Sequence, residues 1–254
     1  MSEIIVKVEN VSRTFSSGTK KNKITFSALE DVSFAVSKGE FLSLLGPSGC
    51  GKSTLLKIIS DLLPASSGSV SIAETGAKKA PAFGFVFQDS VLLPWRTAFD
   101  NALFPFEIMG SKEKADKARV KELFGLAKLN GFESSYPRQL SGGMKQRVSI
   151  VRALSYNPPI LLMDEPFGAL DAITRDNLNN ALLEIWESTR KTVIFVTHSI
   201  SEAVYLSDRI IVMGTKPGRV LREVTVTLPR PRTEDVKLTP EFYASVKELR
   251  ELLK

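Results

Sequence analysis

The run Gly46-Pro47-Ser48-Gly49-Cys50-Gly51-Lys52-Ser53 sets glycines, one lysine and a hydroxyl at the spacing of a phosphate cradle, with Thr54 following. Glycines let backbone N–H groups close around an anion. The Lys52 ammonium supplies a point charge to the outer phosphates, and the Ser53 hydroxyl can ligate Mg²⁺. Far along the chain, Ile160-Leu-Leu-Met-Asp164-Glu165-Pro166 ends an apolar run in adjacent carboxylates. Successive strand side chains point opposite ways, so the pair can divide two tasks. Asp164 would hold Mg²⁺ through its water, and Glu165 would polarise an attacking water as general base. A strand-end pair is weak alone; joined to the phosphate loop, it reads as a nucleotide-hydrolysing site.

Two further side chains suit that chemistry. His198 is the single histidine and follows the apolar run Val193-Ile-Phe-Val-Thr197. That places it at the C-terminal edge of a strand, where open α/β sheets bind ligands, and suits a γ-phosphate contact. Gln88 lies just past the apolar run Phe83–Phe87, where a neutral amide could reach Mg²⁺ or the attacking water. A second glycine turn, Leu140-Ser141-Gly142-Gly143-Met144-Lys145-Gln146-Arg147, opens a helical pattern in Val148, Ile150, Val151 and Leu154. It resembles a phosphate-gripping helix start, yet has no lysine in the loop position.

The elements that must position these residues follow from periodicity. Ile4–Val8 and Val32, Phe34 and Val36 alternate as half-buried strands, and Phe41–Leu45 reads as a buried strand running into the phosphate loop. A helix is expected over Ser53–Ser60, with short strands at Val70–Ile72 and Phe83–Phe87. Helical patterns follow at Thr97–Met109 and Lys112–Leu129. Strand–helix alternation then returns: Ile160–Met163, Thr174–Thr189, Thr192–Val196, Ile200–Leu206, Arg209–Met213. This predicts a parallel sheet covered by helices, interrupted by a helical insertion. Pro229-Arg230-Pro231-Arg232 marks an exit from the sheet, and Glu241–Leu253 reads as a final amphipathic helix.

Composition sets limits. The 254 residues are 43% hydrophobic and 24% charged, with net charge +6, enough for a sizeable core. The basic residues are scattered, and the densest cluster, Lys20, Lys21 and Lys23, lies in a Ser/Gly/Thr-rich stretch expected to be solvated. Cys50 is the single cysteine, which excludes an intrachain disulfide. The start MSEIIVKVEN lacks a signal-peptide pattern, and no apolar run approaches the roughly 18 residues of a membrane span. A peripheral protein on the cytoplasmic face, held to a membrane through a partner, is the expectation.

In order and rough spacing, the phosphate loop, Gln88, Leu140–Arg147, Asp164-Glu165, Gly168-Ala-Leu-Asp171 and His198 resemble the ATPase subunit of an ATP-binding cassette transporter. The resemblance runs from about Val6 to Val226, and the Leu140–Arg147 signature is its specific element. It implies an α/β fold: a RecA-like phosphate-loop NTPase core, an antiparallel β subdomain and an inserted helical subdomain. The core would take 1–87 and 158–230, the insertion 88–157 and a helical tail 231–254. It implies adenine stacking by Phe15, with a core phenylalanine as the bland reading. It implies that Ser141, Gly142 and Gly143 cover ATP held by a second subunit, and that Asp171 lies at the subunit boundary. Met144 stands where glutamine is usual, which leaves Ser141 and the two glycines intact.

Gln88-Asp-Ser-Val-Leu-Leu-Pro-Trp-Arg96 with Asn101, Phe167–Arg175 and Leu228-Pro-Arg-Pro-Arg232 look most like the nitrate, sulfonate and taurine uptake group. Leu93, Trp95 and Arg96 then read as a membrane-subunit interface, since apolar and aromatic residues beside an arginine suit an anchor. The implied partners are a second ATPase subunit, two membrane permease subunits and a separate solute-binding protein, with no nucleic acid. An exporter or lipid-trafficking cassette is the main rival. A chromosome or repair ATPase would carry a long coiled coil between phosphate loop and signature, where this chain shows no sustained heptads.

Overall fold

The computed structural model describes residues 3–17, 24–73, 82–111, 115–168 and 170–254. The lysine cluster at 20–23, the start of the expected helix at Lys112 and Ala169 lie outside the described residues. The chain divides into two compact units, one of residues 1–74 with 192–254, the other of residues 75–191.

In the first unit, strands β1 (Ile4–Ser17), β2 (Ile24–Ser37) and β4 (Ser67–Ile72) form an antiparallel sheet in the order β2-β1-β4. The alternation seen in sequence is the burial pattern: Val32, Phe34 and Val36 are buried. The unit's second sheet has β3 (Phe41–Leu45) at its heart, parallel to β7 (Thr192–Thr197) on one side and β8 (Arg209–Gly214) on the other. All five residues of β3 and all six of β7 are buried, as expected of strands covered on both faces. Strand β9 (Arg219–Thr225) adds antiparallel to β8 at the edge. Helices α1 (Lys52–Ile59), α6 (Ile200–Leu206) and α7 (Pro240–Leu252) complete the unit. Arg232, in the predicted exit segment, is buried. Its guanidinium donates to the carbonyls of Val204, Tyr205, Ser207 and Leu228, satisfying chain ends around α6.

In the second unit, β5 (Phe83–Val86) pairs in parallel with β6 (Ile160–Asp164). Helices α2 (Ala98–Ile108), α3 (Lys117–Leu126), α4 (Gly142–Leu154) and α5 (Ala172–Thr189) surround them. The α3 pattern predicted from sequence holds, with Val120, Leu123 and Phe124 buried, but the helix is shorter at both ends. Asp116 caps its start, and the chain leaves the helix before Leu129.

Candidate functional site

In the first unit, β3 delivers the glycine loop. Its register against β7 sets Leu45 opposite Thr197, so Gly46 and His198 each follow the same paired level of two parallel strands. His198 is exposed there. The loop takes its shape from its glycines. Gly49 and Gly51 have φ of 79° and 93°, a region that disfavours side chains. A Cβ on Gly51 would lie 2.8 Å from the Ala28 carbonyl oxygen, and one on Gly46 would lie 2.6 Å from that of Met213. One side of the loop is therefore closed against the protein. At Gly49 a Cβ would meet nothing within 4 Å, so the opposite side is open.

Lys52 begins α1 and is only 3% exposed. Its ammonium donates to the carbonyls of Gly46 at 2.7 Å and Pro47 at 3.0 Å, drawing the loop around the charge. An open outer side above a buried cation fits a polyphosphate. Ser53 and Thr54 follow in the first turn of α1 and are half-buried. Cys50 is fully buried, and burial raises its thiol pKa against the lowering influence of Lys52. Phe15, in β1, is 39% exposed, with the Arg13 guanidinium 4.7 Å from its ring centre. It is therefore not a core phenylalanine.

In the second unit, β5 and β6 set Val86 opposite Met163, which brings Gln88 and Glu165 to one end of the pair. The Gln88 Nε2 lies 3.4 Å, and the Glu165 Oε2 3.8 Å, from the point where a Cβ on Gly168 would sit. A side chain at Gly168 would thus intrude between the two. Glu165 has a φ of 42°, a strained backbone for a residue with a side chain, at the turn out of β6. Asp164, the last residue of β6, is half-buried.

The signature turn caps α4. Ser141 Oγ accepts from the Met144 N–H at 3.3 Å, while Ser141 and Gly142 remain exposed. A Cβ on Gly143 would lie 2.7 Å from Thr174 Cγ2, and one on Gly142 would lie 3.2 Å from Leu170 Cδ2. Both glycines thus let the start of α4 lie against the start of α5. Asp171 caps α5, accepting from the Thr174 N–H at 3.0 Å, and those bonds lower its carboxyl pKa. The signature and Asp171 therefore share one exposed place, formed by two helix starts.

Sequence reasoning missed how α4 grips the segment after β5. Gln146 Nε2 donates to the Phe87 carbonyl at 3.1 Å, next to Gln88. Arg152 donates to the carbonyls of Val91 and Ser90 at 2.8 and 2.9 Å. A polar residue at a buried helix position was the available signal for Gln146. Beyond that segment, Trp95 is 70% exposed, whereas Arg96 is paired at 2.8 Å with each oxygen of Glu107. Leu93 lines an apolar cavity of about 410 Å³ together with Phe83, Phe85, Phe87, Phe104 and Ile108. Ile108 is 71% exposed at its rim.

A strand running into a lysine-bearing glycine loop, with a neighbouring strand end carrying a histidine, defines a phosphate-loop ATPase. The chain belongs to the ABC transporter family, whose model matches residues 29–168. It is 46% identical to the aliphatic sulfonates import ATP-binding protein SsuB of Bacillus cereus, over 90% of this chain and 89% of that one. It is 41% identical to the taurine import ATP-binding protein TauB of Rhizobium johnstonii, over 98% and 96%. Among solved structures it resembles the dimeric ATP-binding cassette MJ0796 in a post-hydrolysis state bound to ADP and Pi. That likeness has a TM-score of 0.72 at 36% identity, covering 89% of this chain and all of the other. Among the described residues, no helix is long and apolar enough to cross a membrane.

Proposed function

We propose that this chain is the ATP-hydrolysing subunit of an importer for a small anionic solute of the sulfonate or taurine kind, working through partner membrane subunits. The observation that carries the ATPase reading is the buried Lys52 beneath a loop open on its outer side. The direction of transport and the solute class rest on the likeness to the sulfonate and taurine import proteins.

In this reading the N–H groups of Gly46–Gly51, with Lys52, Ser53 and Thr54, hold the phosphates, and Phe15 stacks on adenine. Ser53, Asp164 and Gln88 supply oxygen donors of the hard kind that Mg²⁺ takes. When bound, Mg²⁺ neutralises charge that develops on the phosphates. Glu165 takes a proton from the attacking water and His198 steadies charge on the γ-phosphate.

The exposed Ser141-Gly142 helix start serves the nucleotide of a second copy, and Asp171 links the two sites. Residues 88–157 act as the inserted subdomain that carries motion to the membrane. Its apolar cavity, with exposed Trp95 and Ile108, receives a membrane subunit. The Arg96–Glu107 pair stiffens the rim of that surface. A separate solute-binding protein sets the choice of solute, and the chain sits peripherally on the cytoplasmic face.

Glu165→Gln tests the mechanism. With ATP and Mg²⁺ it should elute from gel filtration as a stable dimer with turnover lost; a monomer with wild-type turnover would refute the assignment. The solute class is tested by reconstitution with the permease and binding protein. Taurine or an alkanesulfonate should raise ATP turnover several-fold, and no response to either would reject that class.

A further inference from the structure

A polar cavity of about 170 Å³ lies in the second unit, at the start of α3, the turn after α4 and the end of α5. Its polar lining comes from Arg119, Glu122, Asn157, Ser188, Thr189 and Lys191. None of these belongs to the nucleotide motifs. The volume is well above the 10–15 Å³ that one water requires.

Two cations, Arg119 and Lys191, face this cavity, with one carboxylate, Glu122, in the same lining. Among the described residues, neither Arg119 nor Lys191 makes an ion pair, and Glu122, which also lines the cavity, is bonded to neither. Arg119 Nη2 donates to Asn157 Oδ1 at 2.9 Å, while its Nε is buried without an acceptor. Lys191 is held in place by its backbone, whose carbonyl accepts from Trp186 Nε1 at 2.9 Å. Arg190 turns away, its guanidinium 5.1 Å from the Trp186 ring centre. Burial, and then the charge of Arg119, lower the Lys191 pKa, as expected for like charges in a partly dry place. The Ser188 hydroxyl has no partner among the described residues.

Cations at the end of α5 also complement its dipole. That role needs no second cation from another helix. We propose that Arg119, Lys191 and Ser188 form a binding site for a small divalent oxyanion, inorganic phosphate or sulfate. The guanidinium fork and the ammonium supply charge-assisted donors, and the hydroxyl completes the set. A bound oxyanion ties α3 to α5 across the end of α4, the helix that carries the signature.

The test uses the full chain saturated with Mg²⁺ and a non-hydrolysable ATP analogue, so that the phosphate loop and the γ-phosphate position are both already filled. Sulfate and phosphate are titrated calorimetrically at constant ionic strength against chloride. Wild type should bind at least one of them saturably in the millimolar range or tighter. Lys191→Met and Arg119→Gln should each weaken binding at least tenfold, while Arg119→Lys retains most of it. A preference for phosphate assigns the site to the ATPase product, and equal affinity assigns it to divalent oxyanions generally. In a second measurement, independent of variant folding, the bound anion should slow acylation of Lys191 in wild type several-fold, read by peptide mass spectrometry. No saturable binding, unchanged binding in both charge-removing variants, or no protection of Lys191 overturns the proposal.

Discussion

The side-chain amide of Asn101 clamps Leu93 at both ends of its backbone: Oδ1 accepts from the Leu93 N–H at 2.7 Å, and Nδ2 donates to the Leu93 carbonyl at 3.1 Å. The same Nδ2 lies within hydrogen-bond reach of the carbonyls of Arg96 and Thr97. Asn101 is fully buried in α2, so an interior side chain helps to hold the exposed loop bearing Trp95.

Asn101→Ala should therefore leave several backbone groups without partners and cost about 2–3 kcal/mol of stability. Asn101→Asp should cost more, because a carboxylate would face carbonyl oxygens where the amide donated. Urea unfolding reports the loss, and the fluorescence of exposed Trp95 reports the local change. An aspartate variant as stable as wild type would show that the clamp does not hold the loop.

Ser141 has two separable tasks. Its Oγ caps α4, so Ser141→Ala should cost about 1 kcal/mol of stability. If the helix start serves a partner's nucleotide, as proposed above, Ser141→Arg should leave nucleotide binding to the isolated subunit near wild type and abolish turnover. Binding is measured by titration with a fluorescent ATP analogue. If the arginine variant cannot bind nucleotide as a monomer, the turn acts within its own chain.

How far the sequence disclosed this molecule depends on which physical signal each residue carried. The phosphate loop was legible because a glycine at φ 93° and a lysine at the start of α1 permit little variation in type or spacing. His198 was legible through the apolar strand before it. Strand β9 went unseen because, within Arg219–Thr225, Val224 is the single buried residue, so an edge strand leaves almost no alternation. The burial of Arg232 left no trace in the sequence, for the opposite reason. Charged residues between prolines suggest solvent, but unpaired carbonyls around α6 draw the guanidinium inside. Asn101 and Gln146 show the same limit. Their work is to satisfy the backbone of segments distant in sequence, which leaves no periodic trace.

Cys50 carries a prediction that its burial sharpens. Burial raises the thiol pKa, so at neutral pH less thiolate is present than for a free cysteine. Alkylation by iodoacetamide should be much slower than that of a free thiol. Its rate should still be climbing at pH values where the free thiol has levelled off. Bound ATP should slow it further by covering the open side of the loop. Peptide mass spectrometry follows the reaction, and a rate matching free cysteine, or one indifferent to ATP, would contradict this placement.

Tyr156 provides a pH-dependent test of the apolar cavity. Its hydroxyl donates to the Phe83 carbonyl at 2.6 Å, and burial pushes its pKa up to about 12, against the lowering influence of Arg152. The unfolded chain releases this proton near pH 10, while the folded chain retains it to about pH 12. Above pH 10 the folded state thus binds more protons than the unfolded state, and stability falls as pH rises. The contribution is fully present below pH 10 and is lost as pH climbs through about 12, amounting to about 3 kcal/mol. Tyr156→Phe removes this titration. The wild-type advantage over the variant in urea unfolding should shrink steadily from pH 10 upward, since the variant cannot gain by releasing a phenolic proton on unfolding. A difference between the two that stays constant up to pH 11.5 would mean that the phenol ionises equally in both states, and that the cavity wall at Phe83 and Tyr156 is open to water.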